Sequence, residues 1–303
     1  MSDFAEMKEI KIYENTLGYS LGRDANNKSY IIIEACLDNN TDFVSIPEYI
    51  SNLPVTHIAP CAFKDFKNIK NVSFPKTLKK IGRQAFYGCN IEILSLPQNL
   101  EYIDEEAFAQ NQNLFTISFN EGIKVIHDLA FEGCTSLPYV IISKGTDCIY
   151  TSIFNNCASL STISFEGDVG RLQSTDAGFA SGCPSLNLID TNPENKRTKS
   201  INGILYDVVD NCLIRVPPAH DIKNIEIPSQ ISRIETNAFE GVRRIDRIKI
   251  TNDIDGIEKS KILECCIDNV CCVPNSNTER IFLEHRFKTY PATSQIDVFL
   301  KSM

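Results

Sequence analysis

The sequence predicts a β-rich α/β solenoid in which short parallel strands alternate with brief helical or 3₁₀ turns, and three observations carry that expectation. The fragments Ile58-Ala-Pro-Cys-Ala-Phe63, Ile81-Gly-Arg-Gln-Ala-Phe86, Ile103-Asp-Glu-Glu-Ala-Phe108, Ile126-His-Asp-Leu-Ala-Phe131 and Ile234-Glu-Thr-Asn-Ala-Phe239 share one pattern. The phenylalanines Phe63, Phe86, Phe108, Phe131 and Phe154 follow one another at steps of 22 or 23 residues, a period that marks stacked structural repeats. Leu114-Phe-Thr-Ile117-Ser-Phe119 alternates with the two-residue period of a strand, Ile117 and Phe119 inward, and Leu160, Ile163 and Phe165 repeat it further along.

Residues 1–43 precede the first recognisable unit and are expected to form an N-terminal cap of strands, because the end of a repeat stack must cover its apolar face. The solenoid then runs over residues 44–287, entered through Val44-Ser-Ile46-Pro47 and Pro54-Val-Thr-His-Ile58. Within a unit, proline follows the inward pair of the strand at Pro75, Pro97, Pro228 and Pro274. Its missing N–H ends ladder pairing and turns the chain away, so the strands stay short. The Ala-Phe segment, flanked by glycine in Phe86-Tyr-Gly88 and Phe131-Glu-Gly133, is expected to make one compact turn whose ring plugs the coil.

Phe179 continues the series with a step of 25, and Phe239 lies one unit plus an insertion beyond it. That insertion, residues 192–224, holds Asn202-Gly-Ile-Leu-Tyr206 and Cys212-Leu-Ile-Arg-Val-Pro217 around Asp210-Asn211, the pattern of a two-stranded hairpin projecting from the solenoid. The run from Thr191 to Ser200 reads as its polar connector. One period beyond Ile234, Phe239 and Val242 fall Ile257, Ile262 and Cys265, a degenerate eighth coil that would turn Cys271 inward. Residues 288–303, with Ile296, Val298 and Phe299, are expected to cap the far end.

Twelve cysteines raise the question of metal or disulfide chemistry. Cys89, Cys134, Cys157 and Cys183, with Asn111 among them, occupy one phase of the repeat, where a small side chain faces inward and donates to loop backbone. Stacked side chains with parallel vectors are poorly disposed for a bridge. Cys265-Cys266-Ile-Asp-Asn-Val-Cys271-Cys272 offers four sulfurs without the C-x₂-C spacing of a zinc site, and the reading is reduced thiols. The histidines His57, His127, His220 and His285 are scattered, and there is no HExxH, nucleophile elbow or phosphate-binding glycine loop. The chain is read as no enzyme, with no cofactor and no metal; a cysteine-based redox or metal-binding protein is the alternative of another class.

A formal charge of -9 argues against nucleic acid and anionic membrane surfaces as partners. No run approaches the length of a membrane helix, and acids stand near the N-terminus where a signal peptide needs an apolar core. Together with many thiols, this favours a reducing, cytoplasmic location and a monomer.

Three features together resemble the BspA-like leucine-rich repeat family: Ser45-Ile-Pro47 through Val55-Thr-His-Ile58 to Ala62-Phe63, the Ile-x-x-x-Ala-Phe-x-x-Cys units, and Gly203-Ile-Leu-Tyr206 with Leu213-Ile-Arg-Val-Pro217. The resemblance spans roughly residues 40–290. It implies a leucine-rich repeat solenoid and, since known members are largely surface proteins that bind host proteins or other cells, a noncatalytic adhesin-like module at the cell surface. An intracellular scaffold is the alternative that the missing leader favours.

A protein partner, or a glycan, would meet the side chains exposed between the inward residues of the stacked strands. By alternation these pairs are Asn71 and Ser73, Ile93 and Ser95, Thr116 and Ser118, Tyr139 and Ile141, Thr162 and Ser164, Leu188 and Asp190, and Arg247 and Lys249. Ile93, Tyr139, Ile141 and Leu188 stand out in columns otherwise made of Ser and Thr. The hairpin around Asp210 is the rival surface.

Overall fold

A computed structural model describes residues 7–12, 15–38, 40–150, 152–168, 172–173, 178–219 and 224–292. Each coil carries two short strands and a turn, arranged around a common core. One strand set is Leu53–Ile58, Lys80–Ile81, Tyr102–Ile103, Val125–Ile126, Cys148–Tyr150 and Leu172–Gln173, stacked in parallel. The antiparallel strands Lys8–Ile12, Asn15–Arg23 and Ser29–Cys36 extend this sheet, with Ser29–Cys36 parallel to Leu53–Ile58. The other set is Phe43–Ser45, Asn71–Ser73, Ile93–Ser95, Thr116–Ser118, Tyr139–Ile142, Thr162–Phe165 and Leu188–Thr191.

Sequence reasoning found one strand per coil and missed the two-residue strands of the first set. Proline makes the link between the two. The carbonyls of Pro75, Pro97 and Pro228 accept the N–H of Leu78, Leu100 and Ile231, closing a tight bend that drops each leucine or isoleucine into the core just before the next strand. The strand that follows is short because the chain must at once enter the aromatic turn.

That turn is neither a plain helical nor a 3₁₀ turn. Two residues in it hold left-handed backbone, two before and two after the phenylalanine: Gln84 and Gly88, Glu106 and Gln110, Leu129 and Gly133. Left-handed φ costs a non-glycine residue about 1–2 kcal/mol. What offsets it is a backbone ladder between coils, in which the N–H of Phe63, Phe86 and Phe108 each donates to the carbonyl of Ala85, Ala107 and Ala130, all at 2.8 Å. Gly133 is required on a second ground, since a Cβ there would lie 2.5 Å from Gln110 Nε2.

The rings of Phe63, Phe86, Phe108, Phe131 and Phe154 form one stack with centroids 4.7 to 5.7 Å apart. Beside it runs the polar ladder. Cys89, Cys134, Cys157 and Cys183 direct their thiols to the carbonyls of Phe63, Phe108, Phe131 and Phe154, and Asn111 Nδ2 donates to Phe86 O at 2.8 Å. The peptides of Phe63, Phe86 and Phe108 are thereby bonded on both sides.

Burial pushes the Cys89 and Cys134 thiols up to about 12. A thiol that keeps its proton in the folded chain beyond the point where the unfolded chain, near its ordinary value of 9.0, releases it stabilises the fold fully below about pH 9 and loses that contribution toward pH 12. The urea midpoint is therefore expected to be level up to about pH 9 and to fall above it. A midpoint that does not move over this range would contradict the buried ladder.

Three expectations are corrected. Phe179 does not continue the ring stack, because Gly178-Phe179-Ala180 reverses the Ala-Phe order; Cys183 follows the ring by four residues instead of three, and Phe179 leans on Phe165 at 6.3 Å. The inserted hairpin is present, Ile204–Asp207 with Cys212–Arg215, but it does not project from the solenoid and a third strand joins it. Part of the expected connector is a strand, Thr198–Ile201, which pairs antiparallel with Ile204–Asp207 through the Asn202-Gly203 turn. Ile204–Asp207 pairs with Cys212–Arg215, whose other edge meets Arg233–Ile234 in parallel.

Both strands of that hairpin are buried along their whole length. Leu205, Cys212 and Ile214 pack into the core of the preceding coils, and Ile204, Tyr206, Leu213 and Val216 into that of the following ones. The hairpin is a septum across the solenoid. Arg215, 1% exposed, spans it, donating from Nη1 to Asn237 O (2.7 Å) and from Nη2 to Ala180 O (3.3 Å).

The third correction concerns the eighth coil. Ile257, Ile262 and Cys265 are buried as expected, with 3₁₀ turns at Ile257–Lys259 and Ile262–Glu264. The strand Cys266–Cys272 pairs with Arg244–Ile250 so that Val270 aligns with Ile248 and Cys271 with Lys249. The inward Val270 follows Cys265 by five positions, one fewer than Ile163 follows Cys157, which puts Cys272 into the core, while Cys271, buried as well, lies on the opposite face against Arg247. Ile296, Val298 and Phe299 lie outside the described residues.

Candidate partner-binding face

The second strand set presents its alternate side chains outward. Register places Ile93 beside Thr116 and Ser95 beside Ser118; Tyr139, Thr162 and Leu188 form one row, and Ile141, Ser164 and Asp190 the next. Asn71–Ser73 packs against Ile93–Ser95, and Thr116–Ser118 against Tyr139–Ile142, so the rows run on from Asn71 and Ser73. Each residue between two core-facing neighbours is forced out: Val140, Ile142, Ile163 and Ile189 are all but fully buried.

Arg247 and Lys249 do not join this face. They lie beyond the septum on a separate sheet made of Asn224–Ile227, Arg244–Ile250, Cys266–Cys272 and Thr289–Pro291. Both are half-buried: Lys249 Nζ pairs with Glu226 Oε1 at 2.8 Å, and Arg247 Nε meets Cys271 Sγ at 3.4 Å.

Sequence reasoning missed Phe115, which is 51% exposed. The signal was present, since Leu114 already takes the inward position and leaves the next ring to solvent. Phe115 stands just before the strand Thr116–Ser118, beside the rows in which Ile93, Tyr139, Ile141 and Leu188, each more than two-fifths exposed, are set among serines and threonines. An apolar residue standing alone on a surface is ordinary; several in register on one face mark a contact surface.

The rival surface is reduced to a turn. Val209, Asp210 and Asn211 are exposed, but the Asp210 carboxylate is paired with Arg197, which also holds the buried Asp207 at 2.8 Å. The histidines are occupied in separate places. His57 stacks on Tyr30 at 4.6 Å, His127 on Tyr150 at 5.1 Å, and His285 Nδ1 lies 2.9 Å from Ile281 O; His220 is outside the described residues. Cys265 and Cys272 point into the core, while Cys266 is exposed, so alternation sends neighbouring sulfurs to different faces. Among the described residues, no group of three or more His, Cys, Asp or Glu side chains is placed to hold a metal ion, and no helix is long and apolar enough to cross a membrane.

Coils of this period, with a buried aromatic turn and a Cys/Asn ladder, define a leucine-rich repeat solenoid. The BspA type leucine rich repeat region matches residues 36–161 and 219–297 in 6 copies. The chain belongs to that family. A comparison with curated protein sequences finds no match. Among solved structures, the chain is similar to the pneumococcal vaccine antigen PcpA (16% identity, TM-score 0.54, 87% of this chain and 66% of that one). It is also similar to a leucine-rich repeat protein from Eubacterium ventriosum (16% identity, TM-score 0.53, 89% of this chain and 67% of that one). At these identities the likeness is one of fold. The repeat family is generally noncatalytic, and leucine-rich repeat domains generally bind proteins.

Proposed function

We propose that the chain is a noncatalytic protein-binding module whose contact surface is the outer face of the second strand set. The observation that supports this most directly is the exposure of Ile93, Tyr139, Ile141 and Leu188 on one face, with Phe115 beside their rows. The backbone beneath them is fixed by strand pairing and by a packed core, so little ordering cost accompanies binding. Aromatic and aliphatic anchors ringed by hydroxyls have the composition of an interface centre with a polar rim. Family membership and the fold shared with a vaccine antigen support an adhesin-like role at a cell surface.

The test is affinity capture of partners by the native chain and by the double variant Tyr139→Ser/Ile141→Ser, with binding of any captured protein then measured on purified components. Both side chains are exposed, so the melting temperature is expected to hold. Truncating interface anchors is expected to weaken binding by about 2 kcal/mol or more. Equal affinity of the native chain and the variant would overturn the reading.

A further inference from the structure

A groove of about 710 Å³ lies away from the apolar face, where the turn of the N-terminal hairpin overhangs the first coils. Its wall is built by coil stacking. Lys79 N–H donates to Thr56 O, Glu101 N–H to Lys79 O and Lys124 N–H to Glu101 O, each at 2.8 Å, so these three side chains repeat at the ~4.8 Å strand spacing. Opposite them stand Asp24, Lys28 and Tyr30.

The acids of the lining are engaged. Glu101 Oε2 pairs with Lys124 Nζ at 2.5 Å, and Asp24 Oδ1 accepts the N–H groups of Asn26 and Lys28 at 2.9 and 2.8 Å to hold the hairpin turn. Lys28 and Lys79 are both exposed, and among the described residues neither ammonium has an ion-pair partner. The lining thus holds three lysines against two acids, a surplus of one positive charge, with Lys28 and Lys79 the two unpaired ammoniums, in a chain whose formal charge is -9. The local potential is felt by His57 in the floor, held below its ordinary 6.5 by burial and then by Lys80 and Lys79.

We propose that this groove binds an acidic peptide segment of a partner protein, with carboxylates between Lys28 and Lys79. Ammonium groups on flexible stems suit carboxylates of variable geometry, and nothing here supplies the planar fork that favours phosphate. An acidic sugar would need an open aromatic face. Tyr30 is stacked on His57 on one side and lies against Gly22, where an added Cβ would sit 2.4 Å from Tyr30 Cε2.

The experiment is fluorescence titration with a labelled hexaglutamate peptide. Lys28→Gln/Lys79→Gln is expected to weaken binding by about tenfold, two exposed charge pairs being worth roughly 1–2 kcal/mol together, and added salt to weaken it further. The control Lys259→Gln/Lys288→Gln removes equal charge from exposed positions in the far half and is expected to leave affinity unchanged. Absent binding, or equal loss in both double variants, would overturn the site. Tighter binding of hexagalacturonate than of the peptide would overturn the ligand class.

Discussion

Phe108→Ala is expected to lower the stability of the chain by about 3–5 kcal/mol, read as a fall in the urea midpoint. The ring is fully buried and sits mid-stack, 5.3 Å from Phe86 and 5.4 Å from Phe131, both within 4° of coplanar. Its loss removes two ring contacts worth about 0.5–1.5 kcal/mol each beyond area burial. It also leaves a void that cannot collapse, because the peptide itself is pinned: Phe108 N–H donates to Ala130 O, and its carbonyl accepts Asn111 Nδ2 and the Cys134 thiol. Phe63→Ala, at the end of the stack with a single stacked neighbour, is expected to cost less. An unchanged midpoint for Phe108→Ala would remove the basis for the aromatic turn.

Arg215→Ala is expected to be nearly as costly, at about 3–5 kcal/mol. The guanidinium bonds Ala180 O from the coils before the septum and Asn237 O from those after it. Without it Ala180 O and Asn237 O each lose the guanidinium donor, and a large cavity opens between two cores. Arg215→Met restores most of the volume but no donor, so it is expected to fall between alanine and the native residue. Native stability for Arg215→Ala, measured by urea unfolding, would show that the guanidinium holds nothing.

Much of the fold was legible because the repeat states the same physical requirement many times. A thiol or amide at one phase means a carbonyl to be met, and Cys89, Asn111 and Cys134 each meet one. Proline after the inward pair means a strand end, and the bends at Pro75 and Pro97 are there. What was illegible lacks such repetition. Strands of two residues, such as Tyr102–Ile103, show no alternation to read. The hairpin of the insertion is apolar on both faces, which sequence can take for a short exposed element as easily as for a buried one. The outward rows were readable residue by residue up to Asp190; that Arg247 and Lys249 lie on another sheet depends on where the septum falls. The groove joins Lys28 to Lys79 and Lys124, which no spacing rule connects.

A stack of like coils has a weakness: each layer is held by its neighbours, so fraying that starts at one end can run the length of the molecule. The septum interrupts that path. Its strands turn Leu205 and Ile214 toward one side and Tyr206 and Leu213 toward the other, so the last coil of each half rests on the hairpin and not directly on the coils of the other. Unravelling from the C-terminal end would meet this bulkhead before it reached Tyr139, and the outward rows from Asn71 to Asp190 are expected to outlast the loss of the coils behind it.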